Sequence, residues 1–366
     1  MTKSSIINHQ SLIAKPKVLL GMSGGIDSTV SAMLLLEHGY EVIGVTFRTY
    51  DSIKDSCIAK EKGCCTIDSI MEAKHNAERM GFEHHIVDFR ETFRRCVIQN
   101  FIDEYMSGRT PNPCVLCNNT IKWGEMLHLA DEMGCDYIAT GHYARIAERD
   151  GHHYLRTAAD KYKDQTYFLW MLNEQQLKRT LFPLGDYTKE QVRDIARRHG
   201  YEQLAVKKES QEICFVPNDD YRSFLRANVP DYNERVHAGE YVDAEGKVLG
   251  THEGYVNYTI GQRKGLGIAL GHPAYITRID ATTNRITLGT NDDMYASQLT
   301  YRPYGLRVLE NGSPVSAKVR YRSMPVEIKQ INGNCISFAT PVWGITPGQS
   351  VVLYQDELVV GGGIIV

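Results

Sequence analysis

The chain has 366 residues, of which 42% are hydrophobic and 23% are charged, and its formal net charge is -3 at pH 7. This composition is that of an ordinary globular protein, and it excludes a disordered chain, a fibrous chain and a bulk polycation. Domains usually hold about 100 to 200 residues, so we expect two or three of them. Any nucleic acid must then bind to a local basic face.

The start of the sequence holds no apolar core of a signal peptide, and no later stretch reaches the about 20 apolar residues of a membrane span. We therefore expect a cytoplasmic protein that does not contact a membrane. Nine cysteines without a secretory signal favour reduced thiols over a disulfide framework. Most of them should be inert, and their positions must identify any that react.

After a loose lead-in that ends at Pro16, strand patterns and helix patterns alternate along the chain. Short apolar runs predict strands over 17–22, 41–47, 83–89 and 136–140, and periodic segments predict helices over 28–37, 67–80 and 91–105. A hairpin is expected about Asp150-Gly151, and Thr188 begins a capping box. The alternation predicts an α/β domain with a parallel sheet and helices on both faces, whose ligands bind beyond the carboxyl ends of the strands.

From about residue 226 the pattern changes to short alternating segments broken by Gly, Asp and Asn, for example at 241–249, 274–279 and 285–288. Five more such segments follow after residue 314, at the spacing of a small barrel or sandwich. We predict a lead-in over 1–16, a catalytic α/β domain over 17–225, a small β-rich linker domain over 226–290 and a C-terminal β-barrel-like domain over 291–366.

The turn between the first strand and the first helix predicts a phosphate cradle. It consists of Gly21, Met22, Ser23, Gly24, Gly25, Ile26, Asp27 and Ser28. Glycines let the backbone approach an anion, and the helix start adds N–H groups and the positive end of its dipole. The lysine of a Walker loop is absent, which disfavours γ-phosphoryl transfer. A bare glycine-rich turn with a serine cap is the competing interpretation.

Two further segments place cysteines where a thiol could react. Pro111-Asn112-Pro113-Cys114-Val-Leu-Cys117 precedes a helix that we expect to begin near Asn118 or Asn119. Cys117 would then lie beside a helix N-terminus, with Arg109 and Lys122 nearby in sequence, where a thiolate is favoured.

The second segment has Lys207 and Lys208 before Cys214, which is followed by Phe215. A buried cysteine beside an aromatic residue is an equally good interpretation of it.

The loop resembles the Ser-Gly-Gly-x-Asp-Ser signature of the PP-loop ATP pyrophosphatases, and with both cysteine segments the chain resembles the tRNA-specific 2-thiouridylases over nearly its whole length. The resemblance implies ATP as the nucleotide, Mg2+ held with the help of Asp27, and adenosine packed near Phe47 and Gly141. It also implies that Cys117 is the catalytic thiol and that Cys214 carries a persulfide. The target base would meet Asn112, Pro113 and Cys114.

Other segments resemble the tRNA-facing parts of that family in all three predicted domains. The residues concerned are His142, Lys163, Asp164, Gln165, Arg320, Tyr321 and Gln349, together with the basic pair Arg263-Lys264. A single charged pair is usually only a solvated face, but its occurrence with these segments favours phosphate contacts.

The resemblance implies that ATP adenylates O2 of the wobble uridine (position 34) in the tRNAs for Lys, Glu and Gln, after the base has been flipped out of the anticodon loop. Sulfur from Cys214 then replaces AMP, and Cys117 attacks the persulfide to release hydrosulfide or a disulfide-linked intermediate. The sulfur would come from a persulfide donor, either a cysteine desulfurase or a sulfur relay protein.

One departure from the family pattern leaves the sulfur chemistry open, because many family members have an aspartate where this sequence has Cys114. Cys114, Cys117 and Cys214 could instead ligate a [4Fe-4S] cluster, as in some related tRNA thiolases. Two further functions stay open. One is a PP-loop ligase or amidotransferase that adenylates a carboxylate or a base, and the second is a tRNA or redox module whose cysteines bind iron or zinc.

Overall fold

A computed structural model describes residues 15–50, 67–207, 213–309 and 313–366. Cys57, Cys64, Cys65 and Lys208 lie outside these residues. The chain divides into two compact units. Unit 1 holds the residues up to Val97, Cys114–Asp219 and Glu357–Val359, and unit 2 holds Ile98–Pro113, Asp220–Asp356 and Val360–Val366. The predicted domain boundaries at 225/226 and 290/291 stay predictions.

Helices alternate with strands in the first half of the chain. The α-helices are α1 (Ile26–Glu37), α2 (Ile67–Met80), α3 (Arg90–Phe93), α4 (Gln99–Met106), α5 (Pro113–Cys117), α6 (Met126–Glu132), α7 (Thr166–Leu169), α8 (Glu174–Lys178), α9 (Lys189–Arg198), α10 (Glu202–Val206), α11 (Tyr221–Asn228) and α12 (Tyr232–Arg235). No helix of the described residues is both long and apolar enough to cross a membrane.

The sheet of unit 1 has five strands, and every neighbouring pair is parallel. In chain order the strands of this unit are β1 (Lys17–Gly21), β2 (Glu41–Arg48), β3 (His84–Asp88), β4 (Tyr137–Thr140), the hairpin β5 (Arg145–Arg149) and β6 (His152–Arg156), and β7 (Thr180–Leu181). The sheet runs in the order β3-β2-β1-β4-β7. The predicted α/β class with a parallel sheet is therefore confirmed.

Helix α1 lies between two parts of the core of unit 1. Its Ala32 and Leu35 pack with β1 and with α2, whereas Val30 and Leu34 pack with α9. The central residues of β1 are fully buried, as its unbroken apolar run predicts. Helix α9 begins with the predicted capping box, in which Thr188 and Gln191 exchange backbone and side-chain hydrogen bonds.

The helix that carries the cysteine pair begins earlier than its sequence predicts. It starts at Pro113, continues with π-helical geometry over Asn118–Glu125, and ends in α6. The predicted start near Asn118 or Asn119 is wrong, because a proline suits the first helical position, where its missing N–H has no partner to lose. Cys117 thus lies one turn inside the helix. The predicted helix over 91–105 is likewise interrupted by a π-helical turn, Arg94–Ile98.

Unit 2 contains a four-stranded sheet and a closed barrel. The sheet has the order β10-β11-β8-β9, with β8 (Gly239–Val242), β9 (Val248–His252), β10 (Tyr275–Asp280) and β11 (Arg285–Gly289). The segment 241–249 thus contains the end of β8, a turn and the start of β9. Six strands, β12 (Tyr295–Leu306), β13 (Ser316–Lys318), β14 (Val326–Asn332), β15 (Cys335–Trp343), β16 (Ser350–Gln355) and β17 (Leu358–Ile365), form the barrel.

The strands follow the order β12-β15-β14-β13-β16-β17. The barrel closes because β12 and β17, the first and last strands of this order, also pair with each other. Its strand β16 is buried along its whole length. Both β-rich regions were predicted from the short alternating segments, and both are confirmed.

Candidate functional site

The glycine-rich loop lies where the order of the parallel sheet reverses. Strand β1 pairs with β2 on one side and with β4 on the other, and Gly21 at the end of β1 is opposite Thr140 at the end of β4. Open α/β sheets bind their ligands at this switch point, beyond the carboxyl ends of the strands. The residues after β1 and β4 therefore share one ligand-binding edge.

Two glycines permit the close packing of this edge. A Cβ on Gly24, whose φ is +69°, would lie 2.3 Å from the carbonyl oxygen of Ser69. A Cβ on Gly141 would lie 2.8 Å from the carbonyl carbon of Asp27. Glycine at these positions thus lets the start of α1 lie directly against α2 and the end of β4.

Hydroxyl groups hold the loop in shape before any ligand binds. The Ser28 hydroxyl accepts a hydrogen bond from the backbone N–H of Ser23 (3.2 Å) and donates to the carbonyl of Gly25 (3.1 Å). The side chains of Met22 and Ile26 are buried in the core, whereas Ser23 is exposed. The loop therefore offers an anion its backbone N–H groups and Ser23.

A buried lysine neutralises the carboxylate of this loop. Lys189 Nζ lies 2.7 Å and 2.9 Å from the two carboxylate oxygens of Asp27, and Tyr143 donates a third hydrogen bond to Asp27 at 2.9 Å. The Lys189 side chain is only 6% exposed. The sequence analysis missed this lysine. Its signal is its position in the first turn of α9, where the helix dipole disfavours a cation.

Phe47 stands at the carboxyl end of β2, half-buried, with its ring centroid 5.2 Å from that of Phe89. The preceding Thr46 donates a hydrogen bond to the carbonyl of Met22 in the loop. An aromatic side chain thus lies one strand away from the phosphate cradle.

The helix of Cys114 and Cys117 is fixed to the same edge through Trp123. The Trp123 indole donates to Thr180 on β7 (2.8 Å) and its ring lies 5.6 Å from that of His142, which follows β4. Cys114 is exposed, Cys117 is half-buried, and no disulfide joins the six cysteines of the described residues. The helix that carries both thiols is therefore anchored beside β4 and β7.

Two groups at this edge are kept neutral. The surrounding protein raises the pKa of the Cys114 thiol although its side chain reaches solvent, as expected in a recess, and Lys122 opposes the rise. Burial, together with Lys122, holds the pKa of His142 well below its ordinary value of 6.5. Cys114 is accordingly a poor thiolate base, and His142 is uncharged at neutral pH.

Cys214 is held near the carboxyl edge by its neighbour in sequence. Phe215 is 1% exposed, and its ring lies 5.6 Å from Phe93 and 6.4 Å from Tyr50, which follow β3 and β2. Cys214 itself is half-buried. Within the described part of the chain, no three His, Cys, Asp or Glu side chains form a group that could hold a metal ion.

Of the predicted tRNA-facing residues of unit 1, His142, Asp164 and Gln165 have side-chain hydrogen bonds within the protein, and the His142 ring lies 2.8 Å from the Thr140 hydroxyl. Asp164 is buried and accepts hydrogen bonds from Ala158 N (2.9 Å) and the Thr166 hydroxyl (2.7 Å). Gln165 accepts one from the backbone N–H of Tyr143 (2.9 Å). Lys163 is half-buried, and its neighbour Tyr162, which the sequence analysis did not single out, is 97% exposed.

In unit 2 the predicted tRNA-facing residues also divide. Arg320 donates to two carbonyls and to the Thr346 hydroxyl and lies over the Trp343 ring, so its guanidinium fixes a corner of the barrel. Tyr321 is half-buried. The amide of Gln349 donates to the carbonyls of Thr110 and Pro111 in the loop before α5. The pair Arg263-Lys264 is exposed.

The parallel sheet and the glycine-rich loop at its switch point define an α/β protein that binds a nucleotide. Three family models match in succession: a tRNA methyl transferase HUP domain over residues 16–218, a tRNA methyl transferase PRC-barrel domain over 224–290, and an aminomethyltransferase β-barrel domain over 299–365. Two curated relatives extend over nearly the whole chain.

The tRNA-specific 2-thiouridylase MnmA of Amoebophilus asiaticus is 47% identical over 95% of each chain. That of Cytophaga hutchinsonii is 46% identical over 95% of this chain and 97% of its own. The chain belongs to the tRNA-specific 2-thiouridylase family. A solved 4-thiouridine synthetase–RNA complex with bound ATP aligns with a TM-score of 0.34 and 18% identity over 60% of this chain and 52% of that one, too weakly to add to the assignment.

The family models and the relatives differ in the chemistry that their names give, methyl transfer in one case and thiolation in the other. The relatives carry more weight, because they match this chain from end to end and each is named for one activity.

Proposed function

We propose that this enzyme converts the wobble uridine of tRNAs for Lys, Glu and Gln to 2-thiouridine, with ATP as the activating substrate. The observation that carries the proposal is one edge of the sheet, where a preorganised phosphate loop, the Cys117 helix and the Cys214 segment all lie. A tRNA substrate would place this activity in the cytoplasm.

In the first step, O2 of the uridine attacks the α-phosphorus of ATP, and pyrophosphate leaves. The loop N–H groups would hold the departing phosphates, and Lys189 would offset the negative charge of Asp27, which would otherwise repel them. Phe47 and Gly141 would border the adenosine. The target base would meet Asn112, Pro113 and Cys114 at the start of the Cys117 helix.

We propose that Mg2+ binds to the site together with the phosphates of ATP. The only loop carboxylate, Asp27, is already neutralised by Lys189 and accepts a hydrogen bond from Tyr143. Mg2+ commonly takes one or two carboxylates together with substrate phosphates and water, so one shared oxygen of Asp27 fits that pattern. The metal would neutralise phosphate charge as pyrophosphate leaves.

In the second step, sulfur replaces AMP at C2. The terminal sulfur of a Cys214 persulfide forms the C–S bond, and the C2–O bond to AMP breaks. Cys117 then attacks Cys214 Sγ, which leaves 2-thiouridine and a Cys117–Cys214 disulfide. In a second route, Cys117 attacks first and releases hydrosulfide, which forms the same C–S bond. Both routes require a thiol reductant, which reduces the Cys117–Cys214 disulfide, and a persulfide donor, which transfers sulfur to Cys214 again.

For the RNA we propose that the exposed Tyr162 and Arg263-Lys264, together with the half-buried Lys163, make the contacts. Asp164, Gln165 and Arg320 would act indirectly, because their polar atoms are used within the protein. His142, neutral and at the same edge, would meet the RNA near the flipped base.

The direct test incubates the purified enzyme with unmodified tRNA, ATP, Mg2+, a persulfide donor and a thiol reductant, and measures pyrophosphate and tRNA nucleosides by mass spectrometry. We expect pyrophosphate and 2-thiouridine in equal amounts, and neither product when ATP is omitted. A parallel reaction with a methyl donor in place of ATP and persulfide tests the chemistry named by the family models. A methylated nucleoside there, with no 2-thiouridine in the first reaction, would refute the proposal.

A further inference from the structure

A chain of hydrogen bonds within unit 1 connects the start of β3 to the phosphate loop. His84, the first residue of β3, has its Nε2 2.8 Å from the Thr46 hydroxyl on β2, and this hydroxyl lies 3.0 Å from the carbonyl oxygen of Met22. Thr46 is buried, at 2% exposure, so water does not compete for its hydroxyl. The Met22 N–H donates in turn to the carbonyl of Val45 at 2.8 Å. Both backbone groups of Met22 therefore have their partners on β2.

The direction of each hydrogen bond follows from the protons that are present. The Thr46 hydroxyl has one proton to donate and the Met22 carbonyl can only accept, so that proton goes to Met22. Thr46 then accepts from His84, whose ring must carry its proton on Nε2. The second ring nitrogen, Nδ1, is buried and has no hydrogen-bond partner among the described residues, so a proton there would lack an acceptor. The neutral Nε2–H form of His84 thus completes the chain.

The surroundings of His84 keep its ring neutral. Burial lowers the pKa of His84, and the charges of His85 on β3 and Lys74 on α2 lower it further, whereas Glu78 on α2 opposes them. At neutral pH the ring therefore donates to Thr46 as an uncharged imidazole.

Strand β2 leaves room for this arrangement at Gly44. Gly44 is opposite His84 in the sheet and, two residues before Thr46, lies on the same face of β2. A Cβ on Gly44 would lie 2.9 Å from Met22 Sδ and 3.0 Å from His84 Cδ2. The His84 ring and the Met22 side chain therefore occupy the space that a larger residue would fill.

The Met22 carbonyl sets the direction of the next N–H in the loop. A trans peptide is planar, and its C=O and N–H groups point in opposite directions. With the Met22 carbonyl directed at Thr46, the Ser23 N–H points away from β2 and donates to the Ser28 hydroxyl at the start of α1. This bond, at 3.2 Å, is at the upper limit of the usual range. The Ser23 N–H is therefore available to a stronger acceptor, such as a phosphate oxygen.

We propose that Thr46 and His84 are positioning residues for the nucleotide: through the Met22 carbonyl they direct the Ser23 N–H towards the phosphates of ATP. Neither side chain would contact ATP itself. The inference rests on the proposed function, because ATP is the ligand that it assigns to the loop. Donors that are oriented before the ligand arrives bind it more tightly, since no ordering of the loop opposes binding.

The test compares Thr46→Val and His84→Leu with the conservative variants Thr46→Ser and His84→Gln. Valine has the shape of threonine without the hydroxyl, and leucine removes the ring donor, whereas serine and glutamine each keep a polar group able to make the bond. The control is His85→Leu, which changes the exposed neighbour of His84.

The first measurement is isothermal titration with ATP and Mg2+ in the absence of tRNA. We expect the dissociation constant for ATP to rise about 10-fold in Thr46→Val and about threefold in His84→Leu. It should stay within about twofold of the wild-type value in both conservative variants and in the control. An unchanged affinity in either Thr46→Val or His84→Leu overturns the inference.

The second measurement needs no nucleotide. Hydrogen exchange followed by mass spectrometry should show that the amides of residues 22–26 exchange about threefold faster or more in Thr46→Val, and at the wild-type rate in Thr46→Ser. Faster exchange spread equally over β1, β4 and the loop indicates a merely structural role and overturns the inference. So does weaker ATP binding with unchanged exchange, because Thr46 would then contact ATP itself. If the wild type binds no ATP, the proposed function fails, while exchange still decides whether Thr46 orients the loop.

Discussion

Asp27 and Lys189 form an ion pair that is largely out of water, beside the loop that would receive the phosphates. Hydrophobic residues of similar volume often stabilise a fold as well as a buried ion pair does. We therefore expect this pair to serve the site and not only the stability of the fold. Here Lys189 cancels the negative charge of Asp27 beside the loop, and the Tyr143 hydroxyl orients the carboxylate.

Replacing Asp27 with alanine should lower the rate of tRNA-dependent pyrophosphate release from ATP by about 100-fold or more. The variant leaves Lys189 without its partner, so its fold must be checked by circular dichroism. Steady-state pyrophosphate assays with a folded Asp27→Ala enzyme provide the measurement. A wild-type rate would rule out this loop as the ATP site.

The two proposed sulfur-handling cysteines should behave as a pair. Cys117→Ser and Cys214→Ser should each eliminate 2-thiouridine and retain ATP and tRNA binding, because a hydroxyl neither carries nor releases sulfane sulfur. Cys96→Ser, Cys135→Ser and Cys335→Ser are the controls in the described residues, and Cys57→Ser should be tolerated as well. Nucleoside mass spectrometry gives the readout.

Cys114→Ser separates the two sulfur chemistries. Because its thiol has a raised pKa and is a poor base, the persulfide route should retain at least partial thiolation without it. A three-cysteine cluster would lose iron and activity together. Iron content measured beside thiolation therefore decides between the routes.

His142 should make stability depend on pH in a definite direction. Its pKa is well below 6.5 in the folded protein, so between these values the unfolded chain binds more protons than the folded one. The contribution of His142 to the free energy of unfolding is complete above about pH 6.5 and declines as the pH falls below that value. Urea unfolding at about pH 7.5 and about pH 5.5 measures the free energy of unfolding at each pH. This free energy should fall less between the two values for His142→Gln than for the wild type. An equal loss would contradict the assigned shift.

At the level of elements, the strand–helix alternation identified β1 to β4 of the five-stranded parallel sheet, together with α1 and α2, and the capping box identified α9, but nothing indicated the two-residue β7. The sequence did not indicate β12, whose twelve residues include Pro303 and many polar side chains and are mostly exposed. Its pairing with β15 and β17, which no local pattern encodes, makes it a strand. The π-helical turns were equally invisible, because they repeat helical periodicity with one extra residue per turn.

A matched pair of glycines tests how α1 is seated. Gly24 and Gly39 both have positive φ, +69° and +83°, but a Cβ meets Ser69 only at Gly24 and has nothing within 4 Å at Gly39. Gly39→Ala should lower the free energy of unfolding by about 1 kcal/mol, the lower end of the range for a strained backbone. Gly24→Ala should lower it clearly more, because its Cβ would also meet Ser69. Urea unfolding of both variants measures the difference. Equal losses would mean that the loop does not pack against α2 as described.

On the scale of the whole molecule, a chain with a net charge of -3 must bind RNA through local basic groups. Each phosphate contact contributes a log-log slope with salt of roughly -0.7 to -0.9. We expect tRNA affinity to fall with salt, and the double variant Arg263→Ala/Lys264→Ala to reduce the slope by about 1 to 2. Fluorescence titrations at several salt concentrations measure it, and a slope near zero for the wild type would exclude phosphate-driven binding.

The candidate site was predictable from sequence only as far as residue type determines its chemistry. Glycines and hydroxyls between a strand and a helix identified the phosphate loop, and cysteines with nearby cations identified the thiols. Sequence could not say which donors and acceptors are used inside the fold. Asp164, Arg320 and Gln349 are therefore internal contacts rather than open surface, and Lys189 reaches Asp27 from 162 residues away.

The central claim is 2-thiolation of wobble uridine, and mass spectrometry of tRNA nucleosides tests it most directly. The tRNAs would come from cells that lack the gene and from the same cells carrying either the wild-type gene or Cys117→Ser. We predict that 2-thiouridine derivatives disappear from the tRNAs for Lys, Glu and Gln without the gene, return with the wild type and stay absent with the variant. Undiminished 2-thiouridine in cells without the gene would contradict the account.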